Sequence, residues 1–466
     1  MDSTVRADLN GHGPAQRSDP EAVLIQRAPE LGMALIGRAT PSDAQAELRA
    51  QLTRATIFNR LARKADAAGQ AAPALRRAEQ LGAADLARAL RVELARAALE
   101  AGPPTLALAL LDPVLASPGP PLGRAVALVV AAEALAACGH ADGAIEALTI
   151  ADRLCDGERL DGDGIGADDG LLLRGAVCTV RARQHRREGS PSAAAAQARA
   201  GLGLLAVLVD SDRDSGEVRG ELVLELVLAL LDDGATEDAT RAAVPLLDRP
   251  PRAASAASAA WAALAVATRV HLPRGNHERA LGLLTDTVRV AERHRLESVL
   301  VGCRDALVLI HEDRGELTEA LEHLREARAA EHRRRRAVDT VRAAAEESVP
   351  PVGERSHAPD RVAALLHRQV TEAVGSRHHP DAAGQVPAAD RPPPAPEMRR
   401  LEGADVSAVV LGDLLAEALP AFQNGHHHPP REHADGPPTI AGAVRPDPAE
   451  QLWRPPPRTR RRAVGG

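Results

Sequence analysis

The stretch Gly275-Asn-His-Glu-Arg-Ala280-Leu-Gly-Leu-Leu284 decides the fold class of this chain. The same pattern returns 40 residues later as Gly315-Glu-Leu-Thr-Glu-Ala320-Leu-Glu-His-Leu324. In both copies a glycine ends one helical pattern, and an alanine five residues on lies in the next. Glycine can take the left-handed conformation that ends a helix, and a small residue lets two helices approach closely. Each copy therefore predicts a hairpin of two antiparallel helices.

The glycine and alanine pair recurs along most of the chain, so the sequence predicts an array of hairpins. Apolar residues at helical spacing precede each glycine and follow each alanine. A single hairpin cannot bury its apolar face alone, and neighbouring hairpins must stack. Each pair of a turn glycine and the alanine five residues later is called a rung below. The seven predicted rungs are Gly69/Ala74, Gly102/Ala107, Gly139/Ala144, Gly189/Ala194, Gly234/Ala239, Gly275/Ala280 and Gly315/Ala320.

This pattern resembles the tetratricopeptide repeat, over roughly residues 43 to 345. The glycine spacings of 33, 37, 50, 45, 41 and 40 residues mostly exceed the family's usual length and look like the long repeats of bacterial regulatory proteins. The resemblance implies an all-α solenoid. It also implies a concave groove, lined by the first helix of each hairpin, that binds a peptide or helix of another protein.

Composition agrees with a helical, soluble protein and excludes several function classes. Aromatic residues make up only 1% of the chain, which leaves few rings for a large β-sheet. The formal net charge is -7, so nucleic acid is not expected as the main partner. The sequence shows no signal peptide and no uninterrupted apolar segment of membrane-spanning length, and a cytoplasmic location is expected. Oligomeric state is left open.

The predicted organisation has five parts. Residues 41–347 form the solenoid of about seven hairpins, after a mostly disordered segment at 1–40. Residues 348–403 and 424–466, rich in Pro, Gly, His and Arg, are predicted to be a disordered linker and a disordered basic tail. Between them, residues 404–423 are predicted to form a short amphipathic helix.

The sequence contains no phosphate-binding loop, no helical zinc motif and no nucleophile elbow of the Gly-x-Ser-x-Gly type. Lys64 is the chain's one lysine and does not follow a glycine-rich loop, which excludes a phosphate-binding loop of that type. His311 and Glu312 lack the second histidine of a helical zinc motif. The acidic stretch around Asp161 is interpreted as an exposed loop, with a calcium site as the less favoured alternative. No enzymatic activity, cofactor or metal is predicted.

Two sets of partner-binding residues are predicted. The tetratricopeptide resemblance, applied by each hairpin's own glycine, implies that the groove is lined by Arg96, Arg183, Arg186, Arg269, Asp305 and Glu312. Arginines there would favour an acidic peptide or a C-terminal carboxylate. The tail helix offers an apolar stripe of Val406, Val410, Leu411, Leu414, Leu415 and Phe422, which could dock on its own solenoid or on a partner.

The sequence therefore predicts a non-enzymatic scaffold that binds another protein in its groove. A regulatory protein is the alternative. In that hypothesis the solenoid is the input region, and the tail helix acts on a separate cyclase, kinase or transcription factor.

Overall fold

Fifteen α-helices make up the described part of the chain, and no strand occurs there. The computed structural model describes residues 43–156, 166–209, 214–248, 251–349 and 357–377. The helices are α1 (Asp43–Arg60), α2 (Lys64–Gln80), α3 (Ala84–Ala101), α4 (Pro104–Ala116), α5 (Pro121–Ala137), α6 (Ala141–Asp156), α7 (Ala167–Arg187), α8 (Pro191–Leu205), α9 (Glu217–Asp232), α10 (Thr236–Leu247), α11 (Ala256–Val266), α12 (His277–His294), α13 (Glu297–Arg314), α14 (Leu317–Glu346) and α15 (Ala358–Arg377).

Helices α1 to α14 pair into seven antiparallel hairpins, in which an odd-numbered first helix is followed by an even-numbered second helix. Each second helix also packs on the first helix of the next hairpin, and neighbouring first helices contact one another. The predicted all-α fold of antiparallel hairpins is confirmed.

At five of the predicted rungs the turn glycine has the left-handed backbone conformation that the hairpin pattern requires. Gly139, Gly189, Gly234, Gly275 and Gly315 all have φ between 71° and 87°. The residue after the glycine donates a hydrogen bond back into the preceding helix, as from His140 N to Leu135 O at 2.9 Å. The alanines five residues after the glycines of these rungs and of Gly102 are buried, because that position faces the first helix of the same hairpin.

The N-terminal rungs differ from the prediction. Gly69 lies inside α2, so the predicted rung at Gly69 and Ala74 is wrong. The first turn is instead at Ala62, which has φ 56°, and the alanine five residues later, Ala67, is fully buried. The prediction missed this turn because an alanine stands where the later hairpins have glycine. Gly102 is in a turn, but with extended backbone at φ −147°.

The C-terminal helices return to the first hairpins. Val341 and Ala345 of α14 are fully buried in the same hydrophobic core as residues of α2 to α6. Helix α15 then packs on α4 and α6 through Val362 and Leu366. The predicted disorder of residues 348–403 is therefore wrong for 358–377. In that segment Ala358, Val362 and Leu366 form an apolar stripe at helical spacing, which the surrounding Pro and Arg residues obscured.

Within the described ranges, one helical segment, Ala253–Arg274, is long and apolar enough to cross a membrane by length and composition alone. It comprises α11 with short irregular helical turns at both ends, and 78% of its apolar window is buried inside the protein. Its contacts with α9, α10, α12 and α13 account for that composition as core packing. The predicted tail helix at 404–423, the predicted tail at 424–466 and the predicted N-terminal segment at 1–40 lie outside the described residues.

Candidate functional site

Four of the six predicted groove residues lie in one network of ion pairs on α9. Arg96 comes from α3, Arg183 and Arg186 from α7, and Arg269 from the turn after α11. The carboxylates of α9 are Glu217, Glu221, Glu225 and Asp232. Spacings of four, four and seven residues place them on one side of that helix. The network thus joins side chains of first helices, or of the turn that follows one, along the inner surface of the array.

The N-terminal end of α9 is bound by arginines of the first two hairpins. Glu217 lies 2.9 Å from Arg96 of α3 and 3.2 Å from Arg60 of α1. Burial alone would raise the pKa of Glu217, but the guanidinium groups of Arg96 and Arg60 outweigh it and lower that pKa. Burial also opposes the charge on Arg96, and Glu217 and Glu93 raise the pKa of Arg96 despite it. The inner surface is therefore bridged between hairpins that are distant in sequence.

The C-terminal end of α9 is bound by arginines of neighbouring hairpins. Arg183 donates to Glu225 at 2.9 Å and also pairs with Glu133 of α5. Arg186 donates to Glu225 at 3.0 Å and to Asp232 at 2.8 Å. Glu225 is only 4% exposed, so its charge depends on these two guanidinium groups.

Arg269 reaches the same row through an irregular turn. The segment Ala267–His271 is a π-helical turn, in which the Leu272 N–H donates to Ala267 O. Pro273 would clash with the Arg269 carbonyl in a regular α-helix, and the wider turn avoids this clash. From this turn Arg269 donates to Asp232 at 2.8 Å.

Two charged side chains of this inner surface have no direct ion-pair partner among the described residues. Glu221 lies between Glu217 and Glu225, and no described hydrogen bond or ion pair engages its carboxyl. Burial, followed by the like charges of Glu217, Glu133 and Glu100 against the opposing effect of Arg183, raises its pKa to about 7. Arg187, the last residue of α7, is the second such group. Burial and neighbouring Arg183 lower its pKa, against the opposing effect of Glu133.

The other two predicted groove residues lie apart from this network. Asp305 of α13 is near Glu331 of α14, and burial together with that like charge raises the pKa of Asp305. Glu312 is exposed at the end of α13. The predicted tail-helix residues, from Val406 to Phe422, lie outside the described residues. Binding by either set stays a prediction.

Sequence reasoning missed the acidic residues of α9, although their spacing could have indicated them. The groove residues were transferred at positions 3, 6 and 10 residues before a turn glycine, and before Gly234 these positions hold Leu231, Leu228 and Leu224 instead of the acidic residues. Four acidic residues on one side of an otherwise apolar helix were the available signal. The sequence pattern identified the arginines of the network but not their acidic partners on α9.

Other chemically distinctive residues have structural partners. His311 Nδ1 lies 2.6 Å from Glu316 Oε2, and the ring packs beside His323, as expected for a histidine at a helix end. Burial raises the pKa of the Cys303 thiol to about 12, which disfavours its reactive form. In the part of the chain that the structure describes, no group of three His, Cys, Asp or Glu residues could hold a metal ion.

Comparisons with known proteins leave the family open. No protein-family model matches the chain, and neither does any curated protein. The chain is similar to a solved structure described as "Crystal Structure of Rap Protein Complexed with Competence and Sporulation Factor". The two share 13% sequence identity with a TM-score of 0.41, over 71% of this chain and 98% of that chain. A likeness at this level supports no statement about what this chain binds.

Proposed function

We propose that this chain is a non-enzymatic helical-repeat protein that binds a peptide or helix of another protein along its inner surface. The observation that carries the proposal is the ion-pair network that α9 makes with four other first helices or their ends. Its arginines keep part of their surface open to solvent, with Arg183 25% and Arg269 33% exposed. A peptide can therefore reach them.

The energetics of ion pairs supports a role beyond stability. Replacing buried ion pairs by well-packed apolar residues is often neutral or stabilising, because desolvation offsets the attraction between the charges. The rest of this chain is packed with Ala, Leu and Val. A concentration of charge on one inner surface of such a protein is what a recognition surface requires, since charge complementarity supplies specificity.

A peptide library tests the proposal without a known partner. A random library of 12-residue peptides would be selected against the full chain, and affinities of the selected peptides would be measured by fluorescence anisotropy. We expect a group of peptides whose affinity falls at least tenfold on the double variant R187E/R269E. Arg187 has no direct partner among the described residues and Asp232 keeps Arg186, so this variant should fold normally.

The matched control is R241E on α10, where Arg241 is 75% exposed and pairs only with a neighbour on its own helix. Affinities should be unchanged by this variant. Peptides that bind the double variant and wild type equally well would place recognition elsewhere and contradict the proposal.

A further inference from the structure

The four carboxylates of α9 do not all have arginine partners. Glu217 pairs with two arginines, Glu225 with two, and Asp232 with two. Glu221, in the middle of the same row, pairs with none in the described part of the chain. The row thus has one position at which a cation is missing.

The groups around Glu221 do not supply that cation. Charged side chains interact with it from four helices: Arg96 and Glu100 from α3, Glu133 from α5, Arg183 from α7 and Glu217 from α9 itself. Arg183 and Arg96 are the cations among them, and both are already paired: Arg183 binds Glu133 and Glu225, and Arg96 binds Glu217. Lys64 lies nearby but binds Glu100 at 2.6 Å.

Glu221 is also enclosed by the protein on most sides, although part of its surface remains exposed. Burial is the largest cause that raises the pKa of Glu221 to about 7, so near neutral pH the ionised carboxylate is higher in free energy than it would be in water. A cation bound to Glu221 would stabilise its ionised carboxylate, as the arginines do for the other three carboxylates.

Resting on the proposed function, we propose that Glu221 receives a basic side chain of the bound peptide, inserted between α3, α5, α7 and α9. Arginine is the favoured residue. The other carboxylates of the row are all engaged by guanidinium groups, whose planar fork fits a carboxylate. The acidic ligand expected from the sequence is therefore narrowed: its acidic groups would lie near Arg187 and Arg269, while the residue that meets Glu221 is basic.

Binding at this site is coupled to a proton. A cation binds the ionised carboxylate, so the apparent affinity falls with the ionised fraction of Glu221. For a pKa of about 7, that fraction rises about tenfold between pH 6 and pH 8. The dissociation constant of the peptide should fall by about the same factor over this range and then level off.

The peptides selected on the full chain at pH 8 test the inference. The expected result is that one Arg or Lys is essential, and that replacing it by Gln weakens binding to wild type at least tenfold. The variant E221Q should lose the same affinity and the dependence on pH between 6 and 8. The matched control E237Q, at an exposed position of α10, should keep both. Thermal unfolding by circular dichroism would verify that each variant is folded.

Two results separate this inference from the proposed function. If groove-dependent peptides bind E221Q as tightly as wild type, with the same pH profile, the assignment of Glu221 is overturned and the proposed function stands. If no selected peptide depends on Arg187 and Arg269, the proposed function is overturned and this inference with it.

Discussion

Gly201 of α8 lies directly against Leu222 of α9. A Cβ atom added at Gly201 would be 2.6 Å from Leu222 Cδ2 and 2.9 Å from the Cβ of Cys178 on α7. Both distances are shorter than real Cβ contacts. The glycine therefore allows three helices from two hairpins to meet, and this contact holds α9, with its row of carboxylates, against α7.

Substitution of Gly201 by alanine should destabilise the protein. The Leu222 side chain can rotate away, but Cys178 Cβ is fixed to its helix, so relief requires α7 and α8 to separate. Overpacking of this kind typically costs about 1 to 3 kcal/mol. Urea unfolding of G201A should show a loss in this range.

Gly203, two residues along the same helix, is the matched control. No atom lies within 4 Å of a Cβ added there. Alanine has the higher helix propensity by about 1 kcal/mol, so G203A should be neutral or stabilising. Equal effects of the two substitutions would show that close packing at Gly201 is not what the glycine provides.

The repeat architecture could be predicted from the sequence because one local rule generates it. A turn glycine and a small residue five positions later recur in hairpin after hairpin, and Gly189 with Ala194 follows the same geometry as Gly315 with Ala320. The prediction failed where a residue other than glycine forms the turn, as Ala62 does. An alanine at φ 56° leaves no distinct signal in a chain so rich in alanine.

The candidate site was only half predictable. Arg183 and Arg186 could be placed on the inner surface by their distance from a turn glycine. Their partners could not, because the pairing of Arg96 with Glu217 joins residues 121 positions apart and depends on how tightly the array curves. Curvature arises from many small packing angles, which no short motif encodes.

Glu225 should be among the costliest polar positions to change. It is almost fully buried and binds both Arg183 and Arg186. E225Q removes the charge that both guanidinium groups share, although each retains one other carboxylate. We expect a loss of about 2 to 3 kcal/mol in unfolding free energy, below the 3 to 5 kcal/mol of a fully unpaired charge.

The control for E225Q is D286N on α12. Asp286 and Arg289 form an ion pair whose side chains are 72% and 70% exposed, and such pairs contribute little. Its effect should stay within about 0.5 kcal/mol. A small effect of E225Q as well would mean that the network contributes no more than a surface pair.

Glu221 should make stability depend on pH. Its pKa is raised in the folded protein from the ordinary value of 4.5 to about 7, so the folded state holds the proton more tightly than the unfolded state. Its contribution is present at low pH and lost as the pH rises from about 4.5 to 7. At about 1.4 kcal/mol per pKa unit, E221Q should be more stable than wild type by up to about 3 kcal/mol at pH 8.

At pH 4 the two proteins should unfold at nearly the same urea concentration, because Glu221 is then protonated in the folded state and largely protonated in the unfolded state. Partial solvent contact reduces the difference at pH 8, but its sign is fixed. An E221Q protein less stable than wild type at pH 8 would indicate that the Glu221 carboxylate already has a cation partner.

His323 should have the opposite dependence. Burial, Arg304 and His311 lower its pKa in the folded state, against the weaker effect of Glu326. The unfolded chain therefore takes up the proton first, and stability falls as the pH drops below the ordinary value of 6.5. H323N, whose side-chain oxygen can still accept from Arg304, should lose less stability between pH 7.5 and 5 than wild type does.

Other histidines contribute to the same pH range, so the comparison is between variants. H332N changes an exposed histidine of the same helix and should reproduce the wild-type profile. If H323N and H332N have identical profiles, the packing of His323 against His311 and Arg304 does not govern the acid sensitivity.

Helix α15 should detach locally when its apolar stripe is broken. Leu366 is fully buried against the first hairpins, and Ala363 approaches α6 so closely that a Cβ at Gly143 would be 3.2 Å from it. The polar contacts of the helix are partly exposed, as for Arg361 with Asp112 at 2.8 Å, and surface pairs of this kind contribute little. L366D places a charge in this contact and should release the helix.

Hydrogen exchange measured by mass spectrometry distinguishes release from general unfolding. In L366D, amides of residues 358–377 should exchange at least a hundredfold faster than in wild type, while those of α9 stay protected. A364D introduces the same charge at an exposed position of α15 and should leave the helix protected. Loss of protection throughout the array in L366D would instead mean that α15 is part of the cooperative core, since segments that open separately exchange separately.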